Sequence, residues 1–270
     1  MPGLLINGQL VSVDGVSIVS PGDDPDCYLT LGKDSMHRPQ GVWLRQLTLH
    51  KTIADDPEQV QPGVGPADGP RATAKFWQES DGVRAPKRNG GAHLVTGEDG
   101  VVWCLCDLEL IEAWHATVSN PWSIGFETRE HAGGLCWQAS LDATVKTSLA
   151  ICRAVGIQLQ MPKLGSYNGH PIPRMTHGGP DMVGIFGHRN NTEDRGKWDP
   201  GERLFEMLAD LGVEQFDFAR CEDLAVWRDR QTQLNTKGYG LTVDGIPGPA
   251  TVEALKSEGY VDGLWALGKG

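Results

Sequence analysis

Three side chains able to bind a metal or move a proton lie close together in the segment GHRNNTEDRGKWDPG, residues 187–201. His188, Lys197 and Asp199 offer an imidazole, an ammonium and a carboxylate. Neither a helical nor a strand periodicity runs through the segment, which indicates a loop. Loops held by a rigid scaffold are where binding and catalytic residues concentrate. The structural alternative is a solvated polar loop that turns at residues 199–201.

A zinc site would draw its ligands from histidines, carboxylates or thiolates. The candidates at expected strand ends and in loops are His50, His93, His115, Glu127, His188 and Asp199. The step from His188 to Asp199 is not a stereotyped metal spacing. Spacing alone therefore leaves a metal site and an ordinary polar loop both open.

Several of these candidate residues lie in or next to predicted strands. Residues 44–50 largely alternate apolar and polar side chains, which predicts a half-buried strand ending at His50. A hairpin with Asp-Gly in its turn is predicted over residues 92–105. Another strand is predicted over residues 123–128, and the short apolar run 183–187 leads directly to His188.

Helical patterns alternate with these strands. Helices are predicted over residues 72–80, 138–155, 202–211, 224–237 and 249–257. In the second of these, apolar side chains recur at helical spacing, at Leu141, Val145, Leu149 and Cys152. We therefore expect an α/β fold with a mixed central β-sheet flanked by helices, followed by a small C-terminal helical domain.

The bulk composition is that of a globular protein. Its 270 residues suffice for one substantial domain and a small one. The 24 basic and 35 acidic residues give a formal net charge of −11, which argues against nucleic acid or an anionic membrane as the main partner. The six cysteines include no CxxC motif, and we expect them to be mostly buried, reduced thiols.

The N-terminal stretch MPGLLINGQL has neither the basic region nor the apolar run of a secretory signal. No stretch of the sequence is long and apolar enough to span a bilayer. We therefore expect synthesis in the cytoplasm without a signal peptide, and no membrane insertion.

Four segments carry a family resemblance: LTLHKT at 47–52, AHLVTGEDGVVW at 92–103, AWHATVSNPWSIGFE at 113–127 and GHRNNTEDRGKWDPG at 187–201. In this order they resemble the zinc-dependent N-acetylmuramoyl-L-alanine amidases. That family includes phage endolysins, bacterial cell-wall recycling amidases and peptidoglycan recognition proteins. The resemblance runs over residues 43–212.

The resemblance implies a Zn²⁺ ion bound by His50, His188 and Asp199, with a fourth position for water. Such a site lowers the pKa of the water and polarises an amide carbonyl. Glu127 matches the general base that takes a proton from this water. Lys197 matches the cation that steadies the tetrahedral oxyanion, a contribution of about 2–4 kcal/mol.

Four further residues match positions expected to bind substrate: His93, His115, Trp114 and Asn120. For the two histidines, a structural role is the alternative to lining the substrate groove. Some members of the family have a catalytic tyrosine where this chain has Ala92. That departure leaves more of the proton transfer to Glu127.

The tail, QLNTKGYGLTVDGIPGPAT at 233–251, resembles the small helical peptidoglycan-binding domain. A helical cap that only packs on the catalytic domain is the alternative. We therefore expect an N-terminal extension of short strands over 1–42, a zinc amidase catalytic domain over 43–213 and a peptidoglycan-binding-like domain over 222–270.

The resemblance as a whole implies a peptidoglycan hydrolase that cleaves the amide between N-acetylmuramic acid and L-alanine. Its partner would be the glycan strand and stem peptide of the bacterial cell wall, and an endolysin is the expected type. Two alternatives stay open, a non-catalytic peptidoglycan recognition protein and a cytosolic muropeptide-recycling amidase. Recognition proteins without activity typically lack a zinc ligand, so the complete implied set here favours the enzyme.

Overall fold

The computed structural model describes residues 2–54, 69–79, 90–131, 137–162, 183–191, 199–216, 224–243 and 249–258. Its centre is a six-stranded sheet. In spatial order the strands are β11 (Gly184–Gly187), β5 (Gln46–Ala54), β9 (Ser123–His131), β6 (Leu94–Thr96), β7 (Val102–Cys104) and β3 (Ile18–Val19). Strands β6 and β7 are antiparallel and every other neighbouring pair is parallel, so the sheet is mixed, as predicted.

Three two-stranded ladders and six α-helices complete the described structure. The ladders pair β1 (Leu4–Ile6) with β2 (Gln9–Val11), β4 (Ser35–His37) with β8 (Ile111–Ala113), and β10 (Gln160–Pro162) with β12 (Glu214–Phe216). The helices are α1 (Gly69–Glu79), α2 (Gln138–Val155), α3 (His188–Asn191), α4 (Glu202–Asp210), α5 (Leu224–Thr236) and α6 (Pro249–Ser257). A 3₁₀ helix spans Thr117–Trp122.

Apolar side chains cover the central sheet on both faces. Successive residues of a strand point to opposite faces. Leu94 belongs to the large core cluster with Leu141 of α2, whereas its neighbour Val95 belongs to a second cluster with Ala74 of α1. The sheet is therefore flanked by helices, which confirms the predicted fold class.

Helix α2 has the predicted bounds, and its predicted apolar stripe is buried. It ends where Gly156 adopts a left-handed conformation with φ 76°, a backbone that glycine adopts without steric cost. The prediction that the strand over 44–50 ends at His50 is wrong. Strand β5 continues to Ala54, because β9 pairs with it along its whole length, as far as His131.

The N-terminal residues pair with the central sheet and pack into its core. Strand β3 forms its edge beside β7, and Leu4 and Ile6 join the large core cluster. Arg38, which follows β4, is buried. Its guanidinium donates to backbone carbonyl oxygens at 2.8–3.3 Å, those of Ile111, Glu109, Asn120 and Ser123. This burial lowers the pKa of Arg38 to about 10.

Four cysteines lie in the described residues, and all four are free and buried, as expected: Cys27, Cys104, Cys106 and Cys152. Burial raises the pKa of Cys104 and of Cys152 to about 12, so both are protonated thiols at neutral pH. Cys136 and Cys221 lie outside the described residues.

The two C-terminal helices contact each other. Leu234 of α5 and Ala254 of α6 are buried, and Gln231 Nε2 donates to Thr251 Oγ1 at 3.4 Å. The bounds of α5 and α6 confirm the helices predicted over 224–237 and 249–257, with α5 ending one residue earlier than predicted. Within the described part of the chain, no helix combines the length and apolarity needed to cross a bilayer.

Candidate metal centre

Three neighbouring strands of the central sheet carry the candidate metal centre. His50 lies on β5, directly opposite Glu127 on β9. On the other side of β5, the parallel strand β11 ends at Gly187, and His188 begins α3. Asp199 lies shortly before α4. Parallel pairing therefore places side chains from remote parts of the chain at the same level of the sheet.

The structure brings His50, His188 and Asp199 together. The two Nδ1 atoms lie 2.9 Å apart, and His188 Nδ1 lies 3.2 Å from Asp199 Oδ2. One ligand atom from each residue falls within 4.8 Å of the other two. Atoms that each bind one zinc ion at about 2.0–2.2 Å lie roughly 3–4 Å apart, so the donor set fits such an ion.

The carboxylate of Asp199 is held by the backbone of β5. Its Oδ1 accepts a hydrogen bond from the Lys51 N–H at 2.9 Å, which leaves Oδ2 directed at His188. The two imidazoles are buried and the carboxylate is half-buried. Burial excludes most water from the donor atoms and strengthens their electrostatic attraction for a cation.

Glu127 lies beside this group. Its Oε1 is 3.9 Å from His50 Nδ1, and Thr52 Oγ1 donates to its Oε2 at 3.5 Å. The carboxylate is half-buried, so it is both positioned and within reach of solvent. It can therefore exchange a proton with a molecule bound at the donor set. Lys197, the predicted oxyanion-stabilising residue, lies outside the described residues.

Residues 111–123, which run from β8 through the 3₁₀ helix to the start of β9, are called the site wall. Two of the four predicted substrate-binding residues, Trp114 and Asn120, lie in this site wall. Asn120 is buried, and its Oδ1 accepts the backbone N–H groups of His115 and Ala116 at 3.0 and 2.6 Å. Trp114 is half-buried, and its backbone carbonyl accepts from Gly91. The substrate contacts of Asn120 and Trp114 stay predictions, and Asn120 also shapes the local turn.

His93 is fully buried next to the site wall. Its Nδ1 accepts the Gly125 N–H at 3.0 Å and its Nε2 donates to the Ile111 carbonyl at 3.0 Å. Burial and the charge of Arg38 lower the pKa of His93 to about 3. The ring is thus a neutral bridge between β8 and β9, and its predicted contact with substrate stays a prediction.

His115, also predicted to bind substrate, lies next to the candidate metal ligand His50. Its Nδ1 is 2.9 Å from His50 Nε2, and its Nε2 is 2.9 Å from Ser123 Oγ. Burial lowers the pKa of His115 well below its ordinary value, so the ring is neutral. Glycine is required beneath it, since a Cβ at Gly125 would lie 2.4 Å from His115 Cγ.

Ser123, like Thr52 beside Glu127, is a residue of the site that had no assigned role in the sequence. Alternate residues of a strand share a face. In the motif SIGFE at 123–127, that face carries Ser123, Gly125 and Glu127. Ser123 bonds His115, Gly125 makes room for the ring of His115, and Glu127 approaches the candidate metal ligand His50. The period-two spacing of this motif is the signal that would have identified Ser123.

A family model described as N-acetylmuramoyl-L-alanine amidase matches residues 42–202, more than half of the chain. The chain belongs to this amidase family. Membership confirms the resemblance of the four segments. It supports an amidase or recognition function directed at peptidoglycan.

Solved structures that are similar to this member of the family share little of its sequence. A selenomethionine derivative of AmpD is 18% identical with a TM-score of 0.45, over 76% of this chain and 98% of that one. The N-acetylmuramoyl-L-alanine amidase LysC from Clostridium intestinale is 13% identical with a TM-score of 0.43, over 73% and 99%. The Drosophila peptidoglycan recognition protein SD is 15% identical with a TM-score of 0.43, over 75% and 99%. No curated protein matches the chain.

Proposed function

We propose that the protein is a zinc-dependent peptidoglycan hydrolase that cleaves the amide bond between N-acetylmuramic acid and L-alanine. One observation carries the proposal. In a chain of the amidase family, His50, His188 and Asp199 converge within 4.8 Å, with the Glu127 carboxylate 3.9 Å from one of them. A metal-binding group next to a proton-transfer group is the arrangement used in metal-assisted amide hydrolysis.

His50, His188 and Asp199 would hold the zinc. When bound, Zn²⁺ would act as a Lewis acid that polarises the amide carbonyl and lowers the pKa of a water molecule. Asp199 Oδ1 accepts from the Lys51 N–H and Oδ2 faces His188, so Oδ2 is the oxygen that would bind the metal. The Lys51 N–H of β5 fixes the Asp199 carboxylate, His50 lies on β5, and His188 directly follows β11, which pairs with β5.

Glu127 would carry the protons of the reaction. Its carboxylate accepts a proton from the attacking water and then donates it to the amine of L-alanine as the C–N bond breaks. Thr52 holds one carboxylate oxygen while the other faces the metal ligands. The role of Lys197 as oxyanion-stabilising cation belongs to the same proposal and rests on its match to the family motif alone.

An endolysin that acts on the bacterial cell wall is the type of enzyme we propose. The motif of the tail, residues 222–270, supports this assignment, because a peptidoglycan-binding module would concentrate the enzyme on its substrate. A recycling amidase acting on free muropeptides would gain nothing from such a module. A recognition protein that binds peptidoglycan without cleaving it would need no carboxylate placed as Glu127 is.

Mass analysis of purified peptidoglycan after digestion tests the proposal. The expected products are intact glycan strands and stem peptides that carry a new free amino group on L-alanine. Cleaved glycan, or new amino groups at other positions of the stem peptide, would assign a different bond. Stable binding of peptidoglycan with no new amino group would favour the recognition protein.

A further inference from the structure

A line of hydrogen bonds connects the proposed metal ligand His50, through His115 and Ser123, to the backbone of Ser119. The line runs from His50 Nε2 to His115 Nδ1 at 2.9 Å, from His115 Nε2 to Ser123 Oγ at 2.9 Å, and from Ser123 Oγ to the Ser119 carbonyl oxygen at 2.6 Å. All four residues are buried. Each imidazole can place its single N–H on either nitrogen, so the direction of the line decides which nitrogens carry protons.

The direction is fixed at the end far from the metal. A carbonyl oxygen only accepts, so the hydroxyl proton of Ser123 must point to the Ser119 carbonyl. Ser123 Oγ therefore accepts from His115, whose one proton lies on Nε2. His115 Nδ1 is then a lone pair and accepts the proton of His50 Nε2. His50 Nδ1, the atom that faces His188, is left with its lone pair.

We propose that His115 and Ser123 are positioning residues that lock His50 in the tautomer able to bind the metal through Nδ1. This inference rests on the proposed metal site and adds the residues that prepare it. A metal-binding histidine generally donates its second ring N–H to an acceptor, which fixes the ring and raises its basicity. Here the acceptor is itself a histidine, whose own tautomer is set by a serine and a backbone carbonyl.

Contacts on several sides of His115 restrict the position of its ring. Asn120 Oδ1 holds the backbone N–H of His115 at 3.0 Å, and the ring lies against the space that Gly125 leaves open. Arg38 donates to the backbone carbonyls of Asn120 and Ser123 at 3.2 and 3.3 Å. The site wall, which contains the predicted substrate-binding residues Trp114 and Asn120, thus positions His115 and, through it, the proposed metal ligand His50.

The test begins with the metal-free wild-type protein. Long-range ¹H–¹⁵N correlation spectra of the histidine rings should show His50 with its proton on Nε2 and His115 with its proton on Nε2. Protonation of His50 on Nδ1 would overturn the inference. This result depends on neither zinc nor activity, so it decides the inference even if the protein proves to bind no metal, which would contradict the proposed function instead.

Zinc affinity, measured by competition with a chromophoric chelator, provides the second readout. Ser123→Ala frees His115 to reverse its tautomer, and we expect a roughly 10- to 100-fold weaker zinc affinity with a changed His50 ring spectrum. Ser148→Ala is the matched control. Ser148 is equally buried and donates to the Thr144 carbonyl, four residues before it, at 2.7 Å, in helix α2. Equal zinc affinity and equal His50 spectra in the two variants would overturn the inference.

A pair of substitutions at His115 covers the case in which Ser123→Ala does not fold. Asparagine can place an amide oxygen near the position of the imidazole Nδ1, whereas leucine offers no acceptor. We expect His115→Asn to bind zinc at least roughly fivefold more tightly than His115→Leu. The same affinity in both variants would show that His115 only fills space.

Discussion

At the scale of single residues, Glu127 separates metal binding from proton transfer. Its Oε1 lies 3.9 Å from His50 Nδ1, so the carboxylate is next to the ligand set without being one of its three members. Substitution of this residue should therefore affect turnover much more than metal content. The metal ligands themselves should affect both.

Glu127→Gln should retain zinc and lose amide cleavage by roughly 10²- to 10⁴-fold, because the amide cannot accept a proton. Zinc content of the purified variant and its rate of release of L-alanine amino groups are the measurements. Glu206→Gln, which alters an exposed carboxylate of α4, is the control and should retain both. Turnover by Glu127→Gln at the wild-type rate would remove Glu127 from the mechanism.

His93 should make the metal-free fold sensitive to acid. Its pKa is about 3 in the folded protein and 6.5 ordinarily, so between these values only the unfolded chain takes up the proton. Above pH 6.5 the residue contributes no pH dependence. As the pH falls from 6.5 towards 3, folding stability falls by up to about 1.4 kcal/mol per pH unit for this residue.

Urea unfolding across this pH range, with chelator present, measures the effect. The fall in stability with acid should be less steep in His93→Gln than in the wild type. His37→Gln, at an exposed histidine of β4, controls for the loss of a histidine as such. Parallel pH profiles for wild type and His93→Gln would contradict the buried neutral role of His93.

At the scale of elements, Arg38 of the N-terminal segment stabilises the site wall through hydrogen bonds. Arg38 donates to backbone carbonyls of β8, of the 3₁₀ helix and of the first residue of β9. Removal of the guanidinium would leave several buried acceptors without their donor, and each such acceptor costs about 1–3 kcal/mol.

Arg38→Met should therefore lower the free energy of unfolding by about 2–5 kcal/mol, as measured by urea denaturation. Arg203→Met is the matched control, because Arg203 is an exposed arginine of α4 that pairs with Glu206 at 3.0 Å. That variant should stay within about 0.5 kcal/mol of wild type. Equal stability of the two variants would show that the hydrogen bonds of the Arg38 guanidinium do not stabilise the site.

The elements that the sequence predicted well are those defined by local patterns. Helix α2 follows from its apolar spacing and from Gly156 after its last residue. The extension of β5 to Ala54 depends on pairing with β9, which lies more than seventy residues away in the chain, and no local pattern encodes it. The face shared by Ser123, Gly125 and Glu127 follows from the period-two spacing of their motif. The hydrogen bond between Ser123 and His115 depends on how a 3₁₀ helix packs against β9, and no local pattern encodes that contact.

At the scale of the whole molecule, the candidate centre and the tail make separate contributions. The family match covers residues 42–202, which include the three proposed metal ligands and Glu127. Helices α5 and α6 lie beyond this range and contact each other. Activity on a soluble substrate and association with an insoluble wall should therefore be separable.

Deletion of residues 222–270 should weaken association with insoluble cell wall, because a tethered binding module raises the local concentration of substrate. Cleavage of small soluble muropeptides should be unchanged. Sedimentation with purified wall and a soluble-substrate assay measure the two properties. Equal sedimentation of the full chain and the shortened chain would contradict a binding role for the tail.

The proposed mechanism needs one metal ion shared by ligands from β5, α3 and the segment before α4. Anomalous diffraction at the zinc absorption edge, on crystals of the zinc-loaded protein, tests this directly. We predict a single strong peak within bonding distance of His50 Nδ1, His188 Nδ1 and Asp199 Oδ2. An absent peak, or a peak bound by other residues, would contradict it.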